Sequence, residues 1–307
     1  MIKSVTIINY RNKEVKITLT EADPNHGLLI SNIDGLGPVK ANININEYMI
    51  SDGGLYNSSK LGIRNIVLDL IFTWAKNIED TRQLTYEYFP LKRKLTFIVE
   101  TDNRTLYTEG YVESNEPVIF SDMETTRISI LCPDPYFHDW NEKDTLINFS
   151  TVESLFEFPF DNNSIDEDLI EFGKISTIRE VDFDYKGDAT IGCIFKFHCI
   201  GHVRNISLYH AEADGYNEEM IFNTDAIESL TGQPLGAGDD LIINTNTGKK
   251  SVNLYRGGEY INVLNVLNKT SQWINIYKGY NALAYSAEEG IANLGLEIIY
   301  NTIYEGI

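Results

Sequence analysis

Within residues 193–202, Cys193, His198, Cys199 and His202 are side-chain types that ligate zinc. Zinc needs about four nitrogen or sulfur ligands converging tetrahedrally. In a strand, side chains alternate faces, so His198 and His202 point one way and Cys193 and Cys199 the other. Convergence would need a bulge, which Gly201 could supply. These four are therefore read as strand residues, and no metal ligand is assigned. The acidic run Asp161-Asn162-Asn163-Ser164-Ile165-Asp166-Glu167-Asp168 offers oxygens to calcium. It lacks the glycine that the EF-hand loop requires at its sixth place. Glu167-Asp168 and Asp239-Asp240 are adjacent pairs that point apart, whereas a glycosidase needs carboxylates facing each other across a cleft. No Gly-x-Ser-x-Gly elbow and no His-Glu-x-x-His helix is present. Gly232-Gln233-Pro234-Leu235-Gly236-Ala237-Gly238 lacks the lysine and hydroxyl residue of a phosphate loop. No catalytic residue and no cofactor is assigned. Trp273, with Tyr277 and Tyr280, could stack on a sugar ring or pack a sandwich core. Trp273 and Tyr280 are the candidate glycan contacts. Lys92-Arg93-Lys94 reads as a solvated connection or a contact to an acidic neighbour.

The elements that must carry these residues are mostly strands. Ser4–Ile8 and Val15–Leu19 form a plausible hairpin across Asn9–Glu14, and Leu28–Ile30 leads into a central stretch, Gly35–Pro135. There Asn42-Ile43-Asn44-Ile45-Asn46 alternates polar and apolar side chains, so one face is apolar and the other wet. Asparagine is a poor strand former, and a neighbouring chain added edge-on would hold this run extended. Ser51-Asp52-Gly53-Gly54 is a turn, and Leu55–Gly62 an exposed loop or ribbon. Ile66–Phe72 is a dense apolar strand. Asn77 is the expected N-cap of a helix whose first turn carries Glu79 and Asp80. Thr81, Leu84, Tyr88 and Leu91 would form its apolar face, with Pro90 at or just past its end. Leu95–Glu100, Leu106–Val112 and Met123–Leu131 complete a meander. The polar stretch after Phe137 reads as a linker. Beyond it, short strands are expected at 176–183, 191–199, 204–210, 220–223, 240–244, 251–255, 273–277, 281–285 and 294–303, spaced as in a β-sandwich. Strands also flank the acidic loop, at 156–160 and 169–173. A hairpin turn is expected at Asn244–Lys249 and a short helix at Asn262–Leu267. No repeat and no low-complexity segment is present.

The order and spacing of several pieces resemble the distal tail protein (Dit) family of long-tailed bacteriophages and prophages of Gram-positive bacteria. These pieces are Gly35-Leu36-Gly37-Pro38, then Gly53–Arg64 with the apolar strand after it, then the helix from Asp80 to Pro90. Thr101-Asp102-Asn103-Arg104, Gly110-Tyr111-Val112-Glu113-Ser114-Asn115-Glu116-Pro117 and Cys132-Pro133-Asp134-Pro135-Tyr136-Phe137 follow. The resemblance implies a mainly β fold: an N-terminal β-sandwich-like domain with one packed helix, and a C-terminal galectin-like jelly-roll β-sandwich. The expected division is 1–138 for the ring-forming domain, 139–147 for a linker and 148–307 for the second domain. It implies a hexameric ring at the tail tip that joins the tail tube protein to the tail-associated tip protein and in some phages anchors receptor-binding proteins. With the asparagine-rich run, it places Val39, Lys40, Asn42, Asn44, Asn46, Tyr48, Leu55, Tyr56, Lys60 and Arg64 at the interface between copies. The alternative reading is an adhesion module that binds host cell-wall glycans.

Composition bounds the partners. The chain of 307 residues carries 25 basic and 45 acidic residues, net −20, enough length for two cores. Residues 1–140 hold 14 basic against 19 acidic side chains, and residues 141–307 hold 11 against 26. Such a chain repels nucleic acid, so DNA is expected to pass a ring lumen without specific binding. No apolar run approaches the ~20 residues of a membrane span, and the first residues are too polar for a signal core. Assembly in a cytoplasm follows from this, and the family resemblance implies a place at the virion tail tip and a bacterial host. Three cysteines, Cys132, Cys193 and Cys199, have no disulfide-framework spacing and are expected to be free and buried.

Overall fold

The structure, a computed structural model, describes residues 1–74, 76–121, 123–141, 145–148, 150–153, 174–177, 180–212 and 217–307. The chain divides into two units, Met1–Lys143 with Ile303–Ile307, and Asp144–Thr302. Unit 1 contains β1 (Ile2–Asn9), β2 (Glu14–Thr18), β3 (Leu28–Asp34), β4 (Ala41–Glu47), β5 (Gly54–Leu61), β6 (Arg64–Phe72), α1 (Ile78–Tyr88), β7 (Lys94–Thr101), β8 (Thr105–Val118), β9 (Thr125–Cys132) and β10 (Phe137–Asp139). Unit 2 contains β11 (Thr145–Asn148), β12 (Ser150–Glu153), β13 (Lys174–Thr177), β14 (Glu180–Tyr185), β15 (Ile194–Cys199), β16 (Arg204–Glu212), β17 (Asn217–Phe222), α2 (Asp225–Thr231), β18 (Asp240–Asn244), β19 (Ser251–Arg256), β20 (Glu259–Asn262), β21 (Gly279–Glu289) and β22 (Leu294–Tyr300). The last strand, β23 (Ile303–Tyr304), returns to unit 1 and pairs with β10.

The main sheet of unit 1 is antiparallel, in the order β2-β1-β7-β8-β9-β6-β3, with β10 and β23 attached beside β8. Alternation along each strand sends Val5, Ile7, Ile17, Leu28, Ile66, Leu68, Leu70, Phe97, Val99, Ile128 and Ile130 into one shared core. A single core lined by the strands of this sheet requires the sheet to bend round it. Its two edges are tied by the ring of His26, just before β3, which lies 3.1 Å from the Lys16 carbonyl in β2. The sandwich-like layering therefore comes from one continuous sheet.

Helix α1 starts as its sequence dictates. The Asn77 side chain accepts from the Glu79 N–H at 2.9 Å, and the two acidic residues sit in the first turn. Its buried residues are Thr81 and Thr85, with Leu84 and Tyr88 half-buried. Leu91 departs from the expected face. Pro90 stops the helix at Phe89, which is buried, and leaves Leu91 exposed.

Unit 2 has a six-stranded sheet, β11-β22-β15-β18-β19-β20, and a four-stranded sheet, β14-β21-β16-β17. Phe197 of the first packs edge-on against Phe222 and Tyr285 of the second, at centroid separations of 6.4 and 5.9 Å. The two sheets thus make a β-sandwich, and the fold class is mainly β.

Four expectations are corrected here. The proposed linker, 139–147, contains paired strand residues: Asp139 faces Leu106, and Thr145 faces Tyr300. Residues 303–307 belong to unit 1, because β23 needs β10 as its partner. Residues 273–277 are not a strand; Ile276 alone bridges to Ile191. Asp225–Thr231 is a helix that was not anticipated, closed by Gly232 in the left-handed conformation. The expected helix near Leu264 is one 3-10 turn, Leu264–Val266. The strand expectations at 156–160 and 169–173, with the acidic run Asp161–Asp168, lie outside the described residues.

Candidate functional site

Among the described residues, strands β4 and β5 pair only with each other, as a two-stranded ribbon separate from the main sheet. Register sets its two faces, because directly opposed residues point the same way. Ala41 faces Leu61, Ile43 faces Ser59 and Ile45 faces Tyr56, which makes one face apolar. The Tyr56 hydroxyl lies 2.8 Å from Ser59 Oγ on that face. Asn42 faces Lys60, Asn44 faces Ser58 and Asn46 faces Leu55 on the other. Neither face is covered: Ile43, Ile45 and Tyr56 are 59%, 52% and 59% exposed, and Met49 and Ile50 at the tip are fully exposed. Isolated two-stranded hairpins are at best marginally stable in water. Covering these half-exposed apolar side chains would contribute about 1 kcal/mol each. Among the described residues, nothing supplies that cover.

Its base is held rigidly. Gly35 has φ +85°, and a Cβ there would stand 2.0 Å from the Asn65 carbonyl oxygen. Only glycine fits that close approach. The next anchor is Arg64, the first residue of β6, which is buried. Its Nε and Nη2 donate to Pro135 O at 2.8 and 2.6 Å, and Nη2 also donates to Glu305 O at 2.6 Å. Nη1 donates to Gly35 O at 2.5 Å and to Gly37 O at 2.8 Å. These bonds employ all five donors of a guanidinium. The group also sits 4.2 Å from the centroid of the Phe137 ring. Burial pulls its pKa down, opposed by Cys132 and Asp134. Arg64 is therefore corrected from an interface contact to the knot that joins the strand entering the ribbon, the end of β9 and the chain's last residues.

The other expected contacts lie on or beside the ribbon. Val39 is half-buried at the base, and Lys40, Asn42, Asn44, Asn46, Tyr48, Leu55, Tyr56 and Lys60 are exposed along the ribbon. The sequence reading emphasised the polar face. Ile43 and Ile45, which it passed over, were signalled by the same alternation; Met49 and Ile50 at the tip lie outside it.

The candidate chemical groups are not brought together. Cys193 is buried beside Thr245, whose Oγ1 accepts from the Cys193 N–H at 2.9 Å. Cys199 is buried on the same side, while His198 faces outward against Asp240, 2.5 Å away. Burial pushes the thiol of Cys199 up to about 12 and that of Cys132 to about 11, and raises Cys193 further. None of the three is a nucleophile near neutral pH. Trp273 is half-buried with Lys250 Nζ 5.3 Å from its ring centroid. Tyr277 stacks on the buried His210 ring at 5.6 Å and donates to Glu218 at 2.6 Å. Tyr280 is exposed beside Asp182. The three aromatics have different surroundings. Asp239 receives Arg256 through Nε at 2.7 Å and Nη2 at 2.5 Å, so this carboxylate braces the Gly232–Gly238 loop. Lys94 pairs with Glu109 at 2.8 Å.

No family model matches the chain, and neither does any curated protein. Solved structures do. The chain is similar to the Dit (gp 19.1) protein of SPP1, described as a paradigm of the hub adsorption apparatus in phages that infect Gram-positive hosts. The TM-score is 0.61 at 10% identity, over 98% of this chain and 99% of that one. Chains of the phage P2 baseplate in its activated conformation, with Ca and with Sr, give TM-scores of 0.44 and 0.42. Their identities are 14% and 12%, over 97% and 96% of this chain and 98% and 97% of theirs; at those scores the likeness carries no weight. The chain shares the fold of the SPP1 protein from end to end.

Proposed function

We propose that this chain is a structural virion protein, the hub at the distal end of a bacteriophage tail. Six copies close head-to-tail through unit 1, a heterologous interface that forms a ring when its rotation closes. The ring joins the tail tube protein to the tail-associated tip protein and offers a platform for receptor-binding proteins. Its place is the virion tail tip, after assembly in the host bacterial cytoplasm. DNA passes through the lumen without specific binding, which the net charge of −20 favours. The same hub serves a phage or a phage-derived particle. No enzymatic step belongs to this reading.

The observation that carries it is the uncovered amphipathic ribbon on a locked base, in a chain with the fold of the SPP1 hub protein. A solvent-exposed apolar ribbon has no use in a free monomer and a direct use as an arm laid on a neighbour. The glycan-adhesion alternative lacks a comparable observation. The test is the mass in solution by light scattering over a concentration series. A six-copy mass, reached as concentration rises, is expected for the full chain. Replacing residues 40–60 by a short turn should leave a folded monomer. A ribbon-deleted chain that still forms the same oligomer would sink the proposal.

A further inference from the structure

A head-to-tail ring needs two different surfaces on every copy, one that donates and one that accepts. The ribbon is the first. A second exposed apolar cluster lies at the opposite end of the strands from which the ribbon springs. In the β6–β9 pair, Arg64 stands opposite Cys132 at the ribbon end and Ile71 opposite Thr125 at the far end. There Val118 of β8 also faces Thr125, and the Phe72 N–H donates to Glu124 O at 3.0 Å. Just beyond these pairs are Trp74, Phe120 and Met123, 84%, 100% and 57% exposed, flanked by the partly exposed Val118 and Ile119. Elsewhere in unit 1 outside the ribbon, Met1 at the amino terminus, Ile63, Tyr86, Leu91 and Tyr111 are also exposed, and Tyr10, 44% exposed, carries the guanidiniums of Arg11 and Arg93 at 5.2 and 5.3 Å from its ring centroid.

The two ends of β6 are separated by about 25 Å at strand rise. A copy's own ribbon leaves its own cluster open, since both are exposed. The ribbon also has the size of a protein contact. Every residue from 40 to 60 is exposed, and that run of about 21 residues matches the roughly 20–30 residues a side of a standard interface. Aromatic and methionine side chains of this kind are enriched at protein interfaces. A small ligand would need a concave cavity, which fully exposed side chains do not form.

We infer that Trp74, Phe120 and Met123 are the acceptor on which a second copy seats the apolar face of its ribbon. This rests on the ring reading above. Two variants of the full chain test it. The donor-defective variant carries Ile43→Asp and Ile45→Asp; the acceptor-defective variant carries Trp74→Asp and Phe120→Asp. Each is checked for native circular dichroism, and a milder acceptor variant, Phe120→Ser, guards against a folding defect. Masses are read by light scattering at a concentration where the unsubstituted chain is oligomeric. Each variant alone is expected to be monomeric, with self-association weakened at least tenfold. Mixed together, they retain one good interface between the donor of one and the acceptor of the other. The mixture should therefore give a 1:1 dimer and nothing larger. Acceptor variants that assemble like the unsubstituted chain would overturn this acceptor and leave the ring standing. An unsubstituted chain that is monomeric at every concentration would overturn a second copy as occupant, and the ring with it.

Discussion

The β4–β5 ribbon and the β18–β19 hairpin are built alike. Both are antiparallel pairs with apolar residues at alternate places: Ile43 and Ile45 against Tyr56 in one, Leu241 and Ile243 against Leu254 and Val252 in the other. In β18–β19 the four apolar side chains are completely buried, because the pair lies inside a six-stranded sheet between β15 and β20 and under the second sheet. In β4–β5 the equivalent side chains stand more than half exposed, with no strand on either edge among the described residues. Alternation thus specifies that a face is to be covered. It does not specify whether the cover comes from the same chain. The molecule treats its two hairpins differently by holding one in a sandwich and presenting the other on a rigid base.

Several substitutions would break or sharpen that contrast. The largest effect is expected at the base of the ribbon. Arg64→Met removes five hydrogen bonds and strands buried carbonyls, which should destabilise unit 1 by about 3–5 kcal/mol in urea unfolding. Arg64→Lys should recover only part of it, since an ammonium lacks the planar fork. Truncation inside the covered hairpin comes next: Leu254→Ala should cost about 2–5 kcal/mol, read from the unit 2 transition. Gly35→Ala meets both a positive φ and a backbone oxygen, so a loss of about 2 kcal/mol or more is expected in unit 1. Ile45→Ala, although it deletes an aliphatic side chain like Leu254→Ala, should shift the urea midpoint by no more than the equivalent of about 0.5 kcal/mol while weakening self-association in light scattering. An Ile45→Ala loss as large as that at Leu254 would mean that the ribbon is covered within the monomer and would erase the contrast.

Much of unit 1 was legible before the structure. The dense apolar run Ile66–Phe72, the strands at Leu95–Glu100 and Leu106–Val112, and a capped helix after Asn77 are local signals that tertiary packing confirmed. The helix at Asp225–Thr231 was missed because Thr224 caps nothing with its side chain; its hydroxyl instead accepts from the Asn205 N–H across the loop. Residues 273–277 alternate like a strand, but Ile276 alone pairs, with Ile191, and Tyr277 stacks on His210 instead of joining a ladder. At the site, the ribbon was visible in its asparagine and isoleucine alternation. Arg64 was misplaced for a physical reason: a charged residue beside an exposed turn is usually solvated, and its four carbonyl partners come from positions as distant as Glu305. Trp74 and Phe120 gave no sequence sign, since nothing in their spacing tells an exposed cluster from a core one.

Amide hydrogen exchange along residues 41–47 and 54–61 tests the central claim most directly, comparing the chain at a dilution where it is monomeric with the concentrated assembly. The expected result is fast exchange at the ribbon's outer edges in the monomer and marked protection in the assembly, with β18–β19 strongly protected in both. Equal exchange at the ribbon in the two states, with assembly demonstrated in the same samples, would contradict the claim that this face is built to be covered by another copy.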